Sequence, residues 1–294
     1  MTNKLKGTLS LLFATAIWGS TFVAQSVGVE KIGPFTFLAG RCILAVVVLL
    51  PFIYFKNKSN FTAILKDPRL WKVGAICGIA LFVATALQQF GLIYTTAGKS
   101  GFITAMYIVL VPIFGLFLTK KPPFSVILSV IIAAFGLYFL SGSGFTSINI
   151  GDLLTLGCAA AFAVQILLLD RYAGDLNCVA LNMVQALVCA VISGVMTAFT
   201  ETVVVADFVD CWLPLAYAGI LSMGVAYTLQ IVGQRHLDPS TASVLMSFES
   251  VFAVLSGWLI LHEALSPTEL LGCVLVFVAI MIPQIPFYKL KKAP

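Results

Sequence analysis

Apolar residues in this chain gather into ten runs, separated by glycines, prolines and charged positions. The runs cover 7–28, 34–55, 71–93, 98–118, 124–141, 152–170, 177–199, 212–234, 240–261 and 267–287. A hydrocarbon layer of about 30 Å is crossed by roughly 20 residues of helix, so each run predicts one transmembrane helix. Only 56–70 and 200–211 are long enough to loop, and no stretch is left for a soluble domain. The expected fold is an all-α integral membrane protein of ten transmembrane helices.

Composition points the same way. Of 294 residues, 60% are hydrophobic and 10% charged, and the mean hydropathy is +1.06. A soluble chain carries about 45–50% apolar and about 25% charged residues. The seven cysteines lie in or near the apolar runs, with no C-x-x-C and no Cys/His cluster. They read as buried thiols, and neither metal nor cofactor is expected. Lys4 and Lys6 ahead of Leu9–Ile17 imitate a signal peptide. The apolar run continues to Gly28, long enough to span, and is read as a retained first helix.

The net charge is +5, but its placement argues for topology and against nucleic acid. With a cytoplasmic N-terminus, one side holds Lys4, Lys6, Lys56, Lys58, Lys66, Arg69, Lys72, Lys120, Lys121, Arg171, Arg235, Lys289, Lys291 and Lys292. That is fourteen of the seventeen basic residues. Lys31 and Lys99 fall on the other side, and Arg41 lies within a span. The positive-inside rule then predicts that both termini are cytoplasmic. Short loops favour a plasma membrane. The sequon Asn60-Phe61-Thr62 would lie on the cytoplasmic side, and is discounted.

The two halves resemble each other, 7–141 against 151–287. A shift of 144 places Gly7 on Gly151, Trp18 on Phe162, Arg41 on Gln185 and Pro123 on Pro267. Through the third and fourth spans a shift of 142 pairs Gln88 with Gln230, Gly91 with Gly233, Thr96 with Asp238, and Tyr107 with Glu249. Five spans is an odd number, so a duplicated unit enters the membrane from the opposite side. Two inverted five-helix repeats can open a central site alternately to either face. Small residues at Gly74, Gly78 and Ala159–Ala161 allow close helix approach.

These residues resemble the drug/metabolite transporter superfamily, EamA type, over essentially the whole chain. The resemblance rests on Ala16-Ile17-Trp18-Gly19-Ser20, Arg41 and Tyr94-Thr95-Thr96-Ala97-Gly98-Lys99-Ser100-Gly101-Phe102. The second half adds Asp238-Pro239-Ser240-Thr241-Ala242, Phe248-Glu249-Ser250-Val251-Phe252-Ala253 and Leu261-His262-Glu263-Ala264-Leu265-Ser266. Ser250 stands where the family usually has proline, and Thr119–Lys121 lacks its frequent glutamate. The resemblance implies a ten-helix carrier with a central cavity and fixes no substrate.

Polar residues within hydrocarbon are costly, about 2.5–3.5 kcal/mol for a charge at a helix centre, and normally face an interior. Trp18, Arg41, Tyr107, Phe162, Gln185 and Glu249 all fall near midplane. One reading is a zwitterion or amine site: Glu249 receives an ammonium, Arg41 a carboxylate, and Trp18, Tyr107 and Phe162 pack the apolar part. A second reading stays open, in which Arg41 and Glu249 satisfy each other or backbone carbonyls and hold the halves in register. Tyr227, Gln230 and Gln234 share one helical face, as do Thr85, Gln88 and Leu92. Gln88 and Gln230 are expected toward opposite mouths, as gates or as interhelical hydrogen bonders. Thr21 and Gln165 either extend the cavity lining or bond across helices. Lys99 reads as a snorkelling anchor, Asp170–Arg171 as a local surface pair, and His236 and His262 as interfacial.

The function expected is secondary transport, leaning to export, of a small organic metabolite such as an amino acid, amine or drug. The partners expected are that substrate, membrane lipid and, through Glu249, a proton as coupling ion; nucleic acid is excluded. A monomer is sufficient and a dimer compatible. The alternatives are an intramembrane enzyme, for which the inventory of nucleophiles and bases is poor, and a membrane receptor or scaffold, for which the loops are too short.

Overall fold

The computed structural model describes residues 2–117, 123–140, 149–260 and 266–282, and these contain only helices and their connections. In chain order the helices are α1 (Asn3–Val29), α2 (Pro34–Lys56), α3 (Phe61–Lys66), α4 (Pro68–Gly91), α5 (Ala97–Thr104), α6 (Tyr107–Gly115) and α7 (Phe124–Leu140). They continue with α8 (Ile150–Tyr172), α9 (Cys178–Thr200), α10 (Val205–Asp210), α11 (Trp212–Ala216), a π-helical segment (Tyr217–Ala226) and α12 (Tyr227–Gln234). Last come α13 (Pro239–Met246), α14 (Glu249–Ile260) and α15 (Pro267–Met281). Among the described residues, eight helical stretches are long and apolar enough to cross a membrane. Two shorter apolar stretches, Phe124–Gly136 and Leu270–Ala279, lie in α7 and α15. The ten predicted runs all appear as helix, while the two long connections each hold a short helix, α3 and α10, that hydropathy does not reveal.

Helix starts follow local chemistry. Thr96 accepts from Lys99 N at 3.2 Å, and Asp238 accepts from Thr241 N at 2.9 Å with Pro239 in the first turn. Such caps satisfy amide groups that have no partner within the helix. Asn177 caps α9 with its own side chain. Its repeat counterpart Gly33 has none, and α2 is capped instead by Glu201 from the end of α9. The Glu201 carboxylate accepts from Phe35 N (2.8 Å), Thr36 N (2.8 Å) and Thr36 Oγ1 (2.6 Å).

Packing between the halves is reciprocal. α1 packs on α12, α13 and α14, as α8 packs on α4, α5 and α6; α2 packs on α9, and α7 on α15. Close approach is made by glycine. A Cβ on Gly7 would lie 3.0 Å from Gly233 O, and one on Gly151 would lie 2.6 Å from Gly91 O. These are the glycines that the two shifts pair in sequence. Likewise Gly78 sits against Gln185 and Val188, and Gly219 against Arg41 and Leu44. The outer surface is apolar, with Phe13, Val47, Phe55, Phe117 and Phe199 exposed, as lipid contact requires.

Three spans depart from regular helix. The fourth breaks after Thr104 and the ninth after Met246, each resuming with a site candidate, Tyr107 or Glu249. Tight three-residue hydrogen bonds carry the breaks: Met106 N donates to Ile103 O (3.1 Å), and Phe248 N to Leu245 O (3.3 Å). In the ninth span Ser243, Ser247 and Ser250 each donate to a carbonyl three residues back, at 2.8, 2.8 and 2.7 Å, competing with the helical ladder. The eighth span carries the π segment, where Asn182 Nδ2 donates to Met223 O (2.8 Å) and Gly224 O (3.0 Å).

Basic residues collect at one end of the bundle. Lys56, Arg69, Asp175 and Arg235 line one surface cavity, and Arg69, Lys72 and Arg171 another. Lys120, Lys121, Lys289, Lys291, Lys292 and His262 lie outside the described residues.

Candidate functional site

A buried cavity lies between the halves, walled by α1, α2, α4, α6, α8, the π segment, α12, α13 and α14. It is lined by Trp18, Thr21, Phe22, Gln25, Arg41, Gln88, Tyr107, Phe162, Ile166, Ser222, Tyr227, Gln230, Met246 and Glu249. None of these side chains is exposed, and the space open to water centres is about 30 Å³. A single water needs about 10–15 Å³ by that measure. The cavity is therefore narrow, and a metabolite fits only if its walls part.

Nine of the residues singled out by depth and helical face are brought together here: Trp18, Thr21, Arg41, Gln88, Tyr107, Phe162, Tyr227, Gln230 and Glu249. Gln165 and Gln185 stand one step behind the wall. Gln230 Nε2 donates to Gln165 Oε1 at 3.0 Å, and Gln165 Nε2 donates to Gln185 Oε1 at 3.2 Å. In the first half an equivalent chain runs from Arg41 through Gln25 to Gln88. Arg41 Nη1 donates to Gln25 Oε1, Gln25 Nε2 donates to Gln88 Oε1 at 3.4 Å, and Gln88 Nε2 donates to Thr104 Oγ1 at 3.3 Å. The bridging glutamine sits one helical turn further along α1 than its counterpart on α8.

Several expectations are corrected. Arg41 is not neutralised by Glu249, because Gln25 reaches its guanidinium first. Gln88 and Gln230 both line the cavity, and each hydrogen-bonds within its own half, Gln88 to Gln25 and Thr104 and Gln230 to Gln165. Lys99 is no simple anchor: its Nζ donates to Asp152 Oδ2 at 2.7 Å and joins the halves. Asp170 and Arg171 do not pair. Asp170 lines a separate cavity with Gln234 and Arg235, while Arg171 lies 5.6 Å from the Tyr172 ring. His236 packs beside Gly7 at the basic end. The residues missed are Phe22, Gln25, Ile166, Ser222 and Met246. Gln25 was legible, since Trp18, Thr21, Phe22 and Gln25 recur at the spacing of one helical face. Ser222 depends on the π segment and carries no such signal.

The polar inventory of the cavity is incomplete within the protein. Trp18 Nε1, Arg41 Nε and Gln230 Oε1 are buried without a hydrogen-bond partner, while the Tyr107 hydroxyl and the Glu249 carboxyl face each other. Buried polar groups are normally paired, so these three atoms are available to polar atoms of a ligand or water. The apolar part of the wall is aromatic, with the Trp18 and Tyr227 rings 4.9 Å apart and tilted by 57°. Glu249 opens α14, where the helix dipole favours negative charge.

The model of the EamA-like transporter family matches this chain at residues 5–142 and again at 149–282. An uncharacterized transporter of Archaeoglobus fulgidus is 34% identical over 285 residues, covering 95% of this chain and 86% of its own length. The uncharacterized transporter YoaV of Bacillus subtilis is 24% identical, over 98% of this chain and 99% of its own. The threonine/homoserine exporter RhtA of Escherichia coli (strain K12) is 32% identical over 155 residues, about half of each chain by coverage, 52% and 52%. A crystal structure with 19% identity superposes with a TM-score of 0.79 over 98% of this chain and 100% of its own, a likeness of fold.

Proposed function

The chain belongs to the EamA-like transporter family, and from that premise we propose that it exports a small zwitterion of the amino-acid class by alternating access. The observation that carries this reading is the narrow cavity between the halves with Arg41 and Glu249 in its wall and Arg41 Nε without a partner. Each charged residue has a neutral repeat counterpart, Gln185 for Arg41 and Tyr107 for Glu249. The cavity is thus bipolar, and orients a substrate that carries both charges. Glu249 would take the ammonium, Arg41 the carboxylate, and Trp18, Phe162 and Tyr227 the apolar remainder.

Reciprocal packing supports the inverted arrangement of the halves, since α1 on α12, α13 and α14 has its counterpart in α8 on α4, α5 and α6. Rocking the halves about that interface would expose the cavity to each face in turn. The basic end is read as cytoplasmic, with the chain in a plasma membrane. A proton exchanged at Glu249 is the coupling ion that the site could supply. The partial match to a threonine/homoserine exporter directs the first choice of substrate.

The test is efflux of L-threonine from proteoliposomes, with L-homoserine and the amine ethanolamine beside it. Glu249→Gln is expected to lower the rate at least about tenfold, the equivalent of about 1.4 kcal/mol. Unchanged efflux by a folded variant removes Glu249 from the site. Transport of ethanolamine in preference to both amino acids removes Arg41 from carboxylate recognition.

A further inference from the structure

A second cavity opens at the basic end of the bundle, about 550 Å³ to water centres, lined in part by Asp170, Gln234, Arg235 and His236. Its polar groups are unequally spent. Arg235 Nη2 donates to the carbonyls of Ala173 and Leu176. The neighbouring carboxylate of Asp238 is occupied in capping α13, accepting from Thr241 N at 2.9 Å and Thr241 Oγ1 at 2.6 Å. Among the described residues, no hydrogen bond or ion pair reaches Asp170. Gln234 is 4% exposed; its Nε2 donates to Ile166 O at 3.3 Å, and its Oε1 has no partner. Two acceptors carry no partner within the described residues, the exposed Asp170 carboxylate and the buried Gln234 Oε1. Such a pair suits an ammonium, which has three donors and no acceptor.

This cavity is placed on the route to the central one. Asp170 lies four residues beyond Ile166 on α8, and Gln234 four beyond Gln230 on α12. Ile166 and Gln230 both line the central cavity. Four residues of helix rise about 6 Å, so one turn separates the two cavities on both helices. The repeat counterparts of Asp170 and Gln234 are Ser26 and Leu92. The opposite end therefore has neither the carboxylate nor the amide at these two positions. The halves match in backbone packing and differ at their mouths.

We propose that the cavity of Asp170 and Gln234 is a loading subsite for the ammonium group of the substrate, present at the basic end only. It rests on the transport reading above for its purpose, but not for its binding chemistry. An ammonium resting between the Asp170 carboxylate and Gln234 Oε1 is held one turn from Glu249's cavity. It reaches the central site when the turn at Ile166 and Gln230 parts.

The experiment measures equilibrium binding of L-threonine and methylammonium to purified Glu249→Gln protein, with potassium chloride as the inorganic control. Saturable binding of both amines is expected, weakened about tenfold by adding Asp170→Asn, which corresponds to about 1.4 kcal/mol. Gln234→Leu, which leaves every charge in place, should weaken it in the same direction, and Asp170→Glu should restore part of it. Melting temperatures without ligand exclude unfolding as the cause. Absence of saturable binding, indifference to both Asp170→Asn and Gln234→Leu, or equal displacement by potassium overturns the subsite. Binding as expected with no amino-acid efflux by the wild type leaves the subsite standing and overturns the transport reading instead.

Discussion

At the scale of single residues, Arg41 is the costliest group in the bundle and shows how its cost is met. It is 2% exposed, and a guanidinium so placed needs acceptors. Gln25 supplies one and passes the link to Gln88. Hydrogen bonds to charged groups contribute about 1.5–3 kcal/mol, so Gln25→Leu should destabilise the protein by about that amount. Arg41→Met in the same chain should recover much of the loss, because the charge needing the bond is then gone. Equal melting temperatures for the single and double variants would show that Gln25 does not serve Arg41. Gln25 is thus a positioning residue: it aims the guanidinium, while Arg41 Nε remains for a ligand.

At the scale of elements, the irregular helices are where the cavity is made. Breaks after Thr104 and Met246 put Tyr107 and Glu249 at the starts of α6 and α14. The π segment of the eighth span widens the helix beside Ser222, and Asn182 accepts the consequence by binding two of its carbonyls. Asn182→Leu removes both bonds and leaves those buried carbonyls without that donor, at about 1–3 kcal/mol for an unsatisfied group. Lowered thermal stability is expected, together with weaker substrate binding through the displaced Ser222 and Tyr227. Retention of both by the leucine variant would mean that the π segment holds itself. Glu201 illustrates the same dependence at a helix end, since α2 borrows its cap from the last residue before α10's connection.

At the scale of the whole molecule, the two halves meet along glycine contacts that the sequence repeat relates, and the cavity between them is narrow. Under the proposed transport reading, a cavity of about 30 Å³ must enlarge to admit an amino acid, and must do so on one side at a time for a gradient to be used. Orientation is testable directly. Single cysteines at Lys58 and Arg171 are expected to react with a membrane-impermeant maleimide from one face of the bilayer. Those at Glu30 and Val203 should react from the other. Lys58 and Val203 labelled from the same face would break the ten-span arrangement, and with it the inverted pairing of the halves.

Hydrocarbon accounts for what could be read from the chain alone. It demands about 20 apolar residues per span and penalises every polar exception, so the spans, the glycine pairs and nine of the cavity residues stand out linearly. Hydrocarbon does not say which polar group answers which. That Arg41 turns to Gln25 while Glu249 faces Tyr107, that Gln88 and Gln230 line one cavity, and that Lys99 finds Asp152 were decided by tertiary packing. So were the helix breaks and the π segment. Each depends on a neighbour remote in sequence, and a hydrogen bond is chosen by distance in space, which hydropathy along the chain does not encode.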